Sequence, residues 1–183
     1  MNYIGLDLSL TASGVFIIDD NTNTILQTCL GVPQQGIERL FFLRSKFNEI
    51  LDTHPITFAC LESGAYNEKG RLFQIGELYG LVTLLLYEKG IPYISAAPLA
   101  VKKYVSSIGK NQGKGAVMLD VFKMYGLSIY NDNEADACVL SHIAKDYYST
   151  VIQEHVLEDL KPYQKEVLKT IAKSTSVQKN CII

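Results

Sequence analysis

Apolar and polar positions alternate with period two at the start of the chain. Over residues 2–9, Tyr3, Gly5, Asp7 and Ser9 share one side and Ile4, Leu6 and Leu8 the other, which predicts a strand. "SGVFIIDD" (13–20) predicts a second strand, "NTNT" a turn and "ILQTCLGV" (25–32) a third, together a meander. The period then lengthens to that of a helix over 36–53, with Ile37, Leu40, Phe41, Phe47, Ile50 and Leu51 at helical spacing. "ITFACLE" (56–62) is short and almost wholly apolar, as suits a central strand covered on both faces, and it ends at Glu62. After a loop, "SGAYNEKGR", comes a helix over 72–89 closed by Gly90, and then a fifth strand, "IPYISA" (91–96). The remaining periodic stretches predict helices over 98–106, 114–125, 134–148 and 152–172, the first two separated by a Gly- and Lys-bearing loop, "GKNQGKG". The tail has no periodicity and is expected to be mobile.

Three antiparallel strands followed by alternating helices and strands make an α/β fold. The expected architecture is a ribonuclease-H-like mixed five-stranded sheet, three antiparallel strands then two parallel, flanked by helices. The expected organisation is one domain over 1–150, a C-terminal helix over 151–173 packed on it or extending it, and a tail over 174–183.

Composition adds exclusions. With 183 residues, 48% hydrophobic and 20% charged, the chain fits a globular domain with a sizeable core. No apolar run reaches the ~18 residues of a membrane span, and the N-terminal stretch does not read as a signal peptide. The four cysteines are far apart with no C-x-x-C pair, which argues against zinc and disulfides and for a reducing, cytoplasmic setting. The formal net charge of −2 argues against a nucleic-acid partner. The distribution changes that picture. Over residues 96–125, Lys102, Lys103, Lys110, Lys114 and Lys123 face one acid, Asp120, a local net of +4 that suits phosphate contacts; a solvated lysine-rich surface is the plain alternative.

Three acids stand out by position. Asp7 lies in the first strand, Glu62 closes the central strand, and Asp136 lies at the start of a helix in "DNEADACVLSHIA", where Asn131, Asp132 or Asn133 can act as the cap. Each has a plain reading, capping above all for Asp136, but an unpaired acid in an apolar strand is costly. Carboxylates ~4 Å apart repel by about 4 kcal/mol at an effective dielectric of 20, so a converging set either takes up protons or binds divalent cations. Oxygen ligands without Cys or His favour Mg²⁺ or Mn²⁺.

Four segments carry a resemblance. "IGLDLSLTASGV", "LESGAYNEKGRLFQIGELYG", "APLAVKKYVSSIGKNQGKGAVMLDVFKMYG" and "NEADACVLSHIA" occur in the order seen in RuvC-type Holliday junction resolvases, and look most like the compact phage and bacterial members. The resemblance covers roughly residues 3–146, and "LKPYQKEVLKTIA" is similar to the C-terminal helix of phage-type members. It implies a homodimeric endonuclease that resolves four-way DNA junctions by paired symmetric nicks, with two Mg²⁺ or Mn²⁺ ions per active site. It places Asp7, Glu62 and Asp136 on the family's catalytic acids. The family's fourth ligand, three residues before the last acid, falls here on Asn133, which offers an uncharged oxygen; Asp132, one turn before Asp136, is the alternative. Lys102 falls on a lysine near the active site and Lys114 on the lysine after the Gly-rich loop, both placed to contact phosphate. Lys103 and Lys110 complete the DNA-binding set, and Tyr66 falls near an aromatic that stacks on junction bases. Gly76 and Gly80 suit either close core packing or a dimer seam, and the resemblance favours the seam.

Three other functions fit parts of the same pattern. They are a nuclease of this fold with broader branched-DNA specificity, a junction-binding protein without cleavage, and an actin-like kinase or ATPase, which also opens on an acid-bearing hairpin.

Overall fold

The structure is a computed structural model that describes residues 1–63, 70–106, 115–155 and 157–174. Five strands form one sheet in the order β3-β2-β1-β4-β5. They are β1 (Asn2–Asp7), β2 (Ala12–Asp19), β3 (Thr24–Gly31), β4 (Phe58–Glu62) and β5 (Tyr93–Ala96). β1 pairs antiparallel with β2, and β2 with β3, while β4 and β5 run parallel to β1. This is the mixed sheet expected from the alternation. The turn between β2 and β3 is held by Asp19, whose carboxylate accepts from the backbone N–H groups of Asn21 and Asn23 at 2.8 Å each.

Side-chain parity along the strands divides the core in two. Tyr3, Phe16, Ile18, Phe58, Cys60 and Ile94 face one way, toward α3 (Pro98–Val105), α4 (Ala116–Tyr125), α5 (Asp132–Tyr147) and α6 (Pro162–Ser174). Ile4, Leu6, Val15, Ile17, Ala59 and Leu61 face the other way, toward α1 (Gly36–Thr53) and α2 (Leu72–Glu88). Burying each of the large apolar side chains among them stabilises the fold by about 1.5–3 kcal/mol, so a one-residue slip of β1 is strongly disfavoured.

α5 is the central helix, with ten of its sixteen residues buried. It lies on β1 and β2 at glycines. A Cβ on Gly5 would stand 2.0 Å from the Ala137 carbonyl oxygen, and one on Gly14 would stand 2.0 Å from that of Asn133. No other residue permits that approach.

Four departures from the expected elements have a physical cause in the structure. β1 stops at Asp7, so the acid ends the strand instead of lying inside it. α1 buries Leu43, Phe47 and Leu51, while Ile37 and Phe41 are 78% and 76% exposed, because α1 carries a second apolar stripe turned away from the sheet. The helix expected over 152–172 starts only at Pro162, as α6, while a π-turn at Tyr148–Ile152 continues α5. Pro162 lacks an N–H and disfavours helix in the residue before it, so it starts α6 rather than continuing a helix. Gln164 secures that start, its Oε1 accepting from the Lys161 N–H at 3.0 Å. α5 begins two residues earlier than expected because Asn131 caps it, its Oδ1 accepting from the N–H groups of Asn133 and Glu134. Val167, Leu168 and Ile171 pack α6 into the same core half as α5. Residues 175–183 lie outside the described residues.

Candidate metal centre

Asp7 and Glu62 are the last residues of two neighbouring parallel strands. Leu6 pairs with Leu61, so the two acids leave the sheet side by side, and both have the parity that faces α5. α5 brings Asp136, just past its first turn, to the same point. One oxygen from each of Asp7, Glu62 and Asp136 lies within 4.8 Å of the others.

Burial and mutual repulsion act together on these groups. Asp7 is 8% exposed. Burial pushes its pKa up, opposed by a hydrogen bond with Glu62. Glu62 rises from 4.5 to about 9, first through burial, then through its hydrogen bond and charge interaction with Asp7 and the nearby Asp136. Asp136 rises from 3.8 to about 7 through burial and the charge of Asp7, with a smaller contribution from Asp132. Lys102, on α3, lies close enough to pull both Glu62 and Asp136 back down. Burial and like charge thus favour a proton shared by the Asp7–Glu62 pair.

These residues fit a divalent cation. The buried Asp136 Oδ1 has no hydrogen-bond partner, which an ion would supply. A hard cation would also replace the shared proton and neutralise the repulsion. The all-oxygen donor set suits Mg²⁺ or Mn²⁺ better than zinc.

The other expected site residues are placed variously. Asp132 acts on Asp136 through its charge but stands outside the converging three. Asn133 turns its side-chain NH₂ to the Ala12 carbonyl at 2.7 Å. Lys103 is paired with Glu166 on α6 at 2.6 Å, so part of the basic segment is met within the fold. Tyr66, Lys110 and Lys114 lie outside the described residues.

The structure adds supporting residues that the sequence pattern does not single out. Ser13, fully buried, donates from Oγ to the Ser9 carbonyl at 3.0 Å and accepts from the Ser9 N–H at 3.1 Å, fixing the turn just after Asp7. Gln27 on β3 donates to Glu134 at 2.6 Å, tying α5 to the sheet edge. Gly14, opposite Asp7 in the ladder, admits the first turn of α5. The glycines in "GLDLSLTASG" were the available signal, since a glycine inside a strand marks close backbone approach.

No protein-family model matches the chain. The crossover junction endodeoxyribonuclease RuvC of Ruegeria pomeroyi is 23% identical over 155 residues, covering 82% of this chain and 93% of that protein. The Thermus thermophilus RuvC structure superposes with a TM-score of 0.68 at 19% identity, covering 84% of this chain and 97% of the other. The same protein in complex with a Holliday junction substrate gives the same score. The yeast mitochondrial Holliday junction resolvase Ydc2 superposes with a TM-score of 0.53 at 11% identity, covering 84% and 85% of the two chains. The fold is therefore that of RuvC, ribonuclease-H-like as the element order implied, and the sequence likeness to a RuvC spans nearly all of that relative.

Proposed function

We propose that this chain is a RuvC-type endonuclease that resolves four-way DNA junctions by paired nicks, acting in the cytoplasm of a bacterial or phage-infected cell. The observation that carries the reading is the convergence of Asp7, Glu62 and Asp136 within 4.8 Å on a RuvC fold.

In this reading Asp7, Glu62 and Asp136 hold two Mg²⁺ or Mn²⁺ ions. Bound ions supply the Lewis acidity that phosphodiester hydrolysis needs. Asp7 and Glu62, fixed at strand ends, present their oxygens with little reorganisation. Lys102 is placed to stabilise negative charge on the phosphate as the bond breaks. Tyr66, Lys110 and Lys114 extend the DNA contact, and Lys103 joins them only if DNA displaces Glu166 from it.

A four-way junction has two-fold symmetry, so two symmetric cuts call for two copies of the site. α2 offers the seam. Phe73, Gly76, Gly80, Leu84 and Tyr87 recur at helical spacing along its exposed side, and Phe73 is 78% exposed. Gly76 and Gly80 have nothing within 4 Å of a would-be Cβ, so their role is not in this chain's own core and suits a second copy.

The test is cleavage of a synthetic four-way junction, end-labelled on each strand, with Mg²⁺ or Mn²⁺. Paired nicks at symmetric positions are expected from the wild type. Asp7→Asn should bind the junction without cutting it. Comparable cutting of Y-shaped or linear duplex DNA would assign the broader branched-DNA nuclease instead, and binding without cutting by the wild type would assign a non-cleaving binder.

A further inference from the structure

We propose that Asn133 is a positioning residue that seats α5 on the sheet and is not a metal ligand, an inference that rests on the metal-centre reading above. Asn133 presents its side-chain nitrogen to the sheet. Its partner is the Ala12 carbonyl oxygen at 2.7 Å. A carbonyl only accepts, so the NH₂ must face it, and the orientation of the amide is fixed by chemistry. The same nitrogen lies 4.0 Å from Cys29 Sγ, on the next strand out. Asn133 therefore spends its donors on β2 and β3.

The backbone of Asn133 is seated as well. Its carbonyl oxygen occupies the space that a Cβ on Gly14 would fill, at 2.0 Å. Gly14 is the ladder partner of Asp7. One turn along, the Ala137 carbonyl and the Ser141 N–H fill the space over Gly5 in the same way, at 2.0 and 2.4 Å. Asp136 lies between these two notches, so the depth of α5 on the sheet sets how near Asp136 comes to Asp7. The notches fix depth but not rotation about the helix axis. The Asn133–Ala12 bond fixes rotation, assisted by Gln27 to Glu134 at 2.6 Å. A one-residue rotation of α5 is about 100° and would carry Asp136 off the site, while metal ligands tolerate only about 10–20°.

Asn in this place also has a chemical logic. A carboxylate there would point an acceptor at the Ala12 carbonyl and add a negative charge beside a cluster that already repels itself.

Mn²⁺ affinity, read by calorimetry well below every melting temperature, tests this in the full-length chain, with the melting temperature read alongside. Asn133→Asp and Asn133→Ala should each lower the melting temperature and weaken Mn²⁺ binding about 10–100-fold, the usual loss when a ligand's support is removed. Leu168→Ala, buried in the core on α6, should lower the melting temperature while leaving Mn²⁺ affinity unchanged, which separates positioning from general stability. Tighter or unchanged Mn²⁺ binding by Asn133→Asp overturns the inference alone; should that variant not fold, unchanged binding by Asn133→Ala does the same. No Mn²⁺ binding by the wild type overturns the metal-centre reading and this inference with it.

Discussion

Replacing Glu62 by Gln should make the metal-free protein more stable while abolishing cleavage. Oxygens of Asp7, Glu62 and Asp136 lie within 4.8 Å of one another. At that distance and an effective dielectric of ~20, each pair of charges repels by about 3.5 kcal/mol. The protonation balance gives a similar figure. Glu62 is pushed from 4.5 to about 9, so at pH 7 the folded protein must keep a proton that the unfolded chain has released. Over that span the cost is on the order of 3 kcal/mol. The amide introduced by Glu62→Gln keeps the size of the side chain and a donor toward Asp7 but carries no charge to suppress. Burying that amide returns part of the gain, so a net stabilisation of about 2 kcal/mol is expected, or about 4–8 °C for a chain of this size. The assay is thermal unfolding in a chelating buffer at neutral pH, repeated with Mn²⁺. In Mn²⁺ at about one hundred times its Kd the wild type should gain about 2.7 kcal/mol, and Glu62→Gln much less, so the order of the two proteins reverses. If Glu62→Gln melts at or below the wild type in chelator, the three acids do not strain one another and the reasoning fails.

The same groups set a pH dependence. Glu62 and Asp136 have folded pKa values of about 9 and about 7, above their unfolded values of 4.5 and 3.8, so the native state holds more protons and metal-free stability falls as pH rises. The loss due to Asp136 should fall between about pH 4 and 7 and that due to Glu62 between about 4.5 and 9, read as melting temperature in chelator; a rise over this window refutes it. Lys102→Met should cut the cleavage rate at saturating junction about 10²-fold or more with little change in junction affinity, measured by single-turnover kinetics and gel shift. Leu84→Glu places a charge on the exposed face of α2 proposed as the seam; if α2 is the seam, light scattering should show a monomer in place of a dimer, with loss of paired nicks but no loss of Mn²⁺ binding.

Much of this was legible in the residue pattern, for reasons that also explain what was not. Ile4 and Leu6 alternate with Tyr3 and Gly5 because both faces of β1 are covered, and that periodicity is local. Asp7 was conspicuous because it interrupts an apolar run, and Glu62 because it closes one. Their adjacency follows from the parallel pairing of β1 with β4, which element order implies but does not state. The outer stripe of α1 is not separable by pattern because Ile37 and Phe41 share the helical period of Leu40 and Phe47, and period alone does not say which stripe meets the sheet. The break before α6 was signalled by Pro162, but the apolar period across it was the louder pattern. The hold of Asn133 on Ala12 spans 121 positions along the chain, and no local pattern encodes such a contact.

Asp7 and Glu62 each have a whole strand behind them, and the parallel register of β1 with β4 sets them side by side. Their oxygens are thus held from the sheet, while Ser13 and Gly14 beyond Asp7 fix the turn and admit α5. With Tyr66 proposed as a DNA contact, chimeras that trade residues 64–69 with those of another such nuclease should change which branched shapes are accepted while leaving ion affinity untouched. Selectivity and chemistry can then diverge on separate evolutionary clocks, one written in exchangeable connections and the other in the sheet.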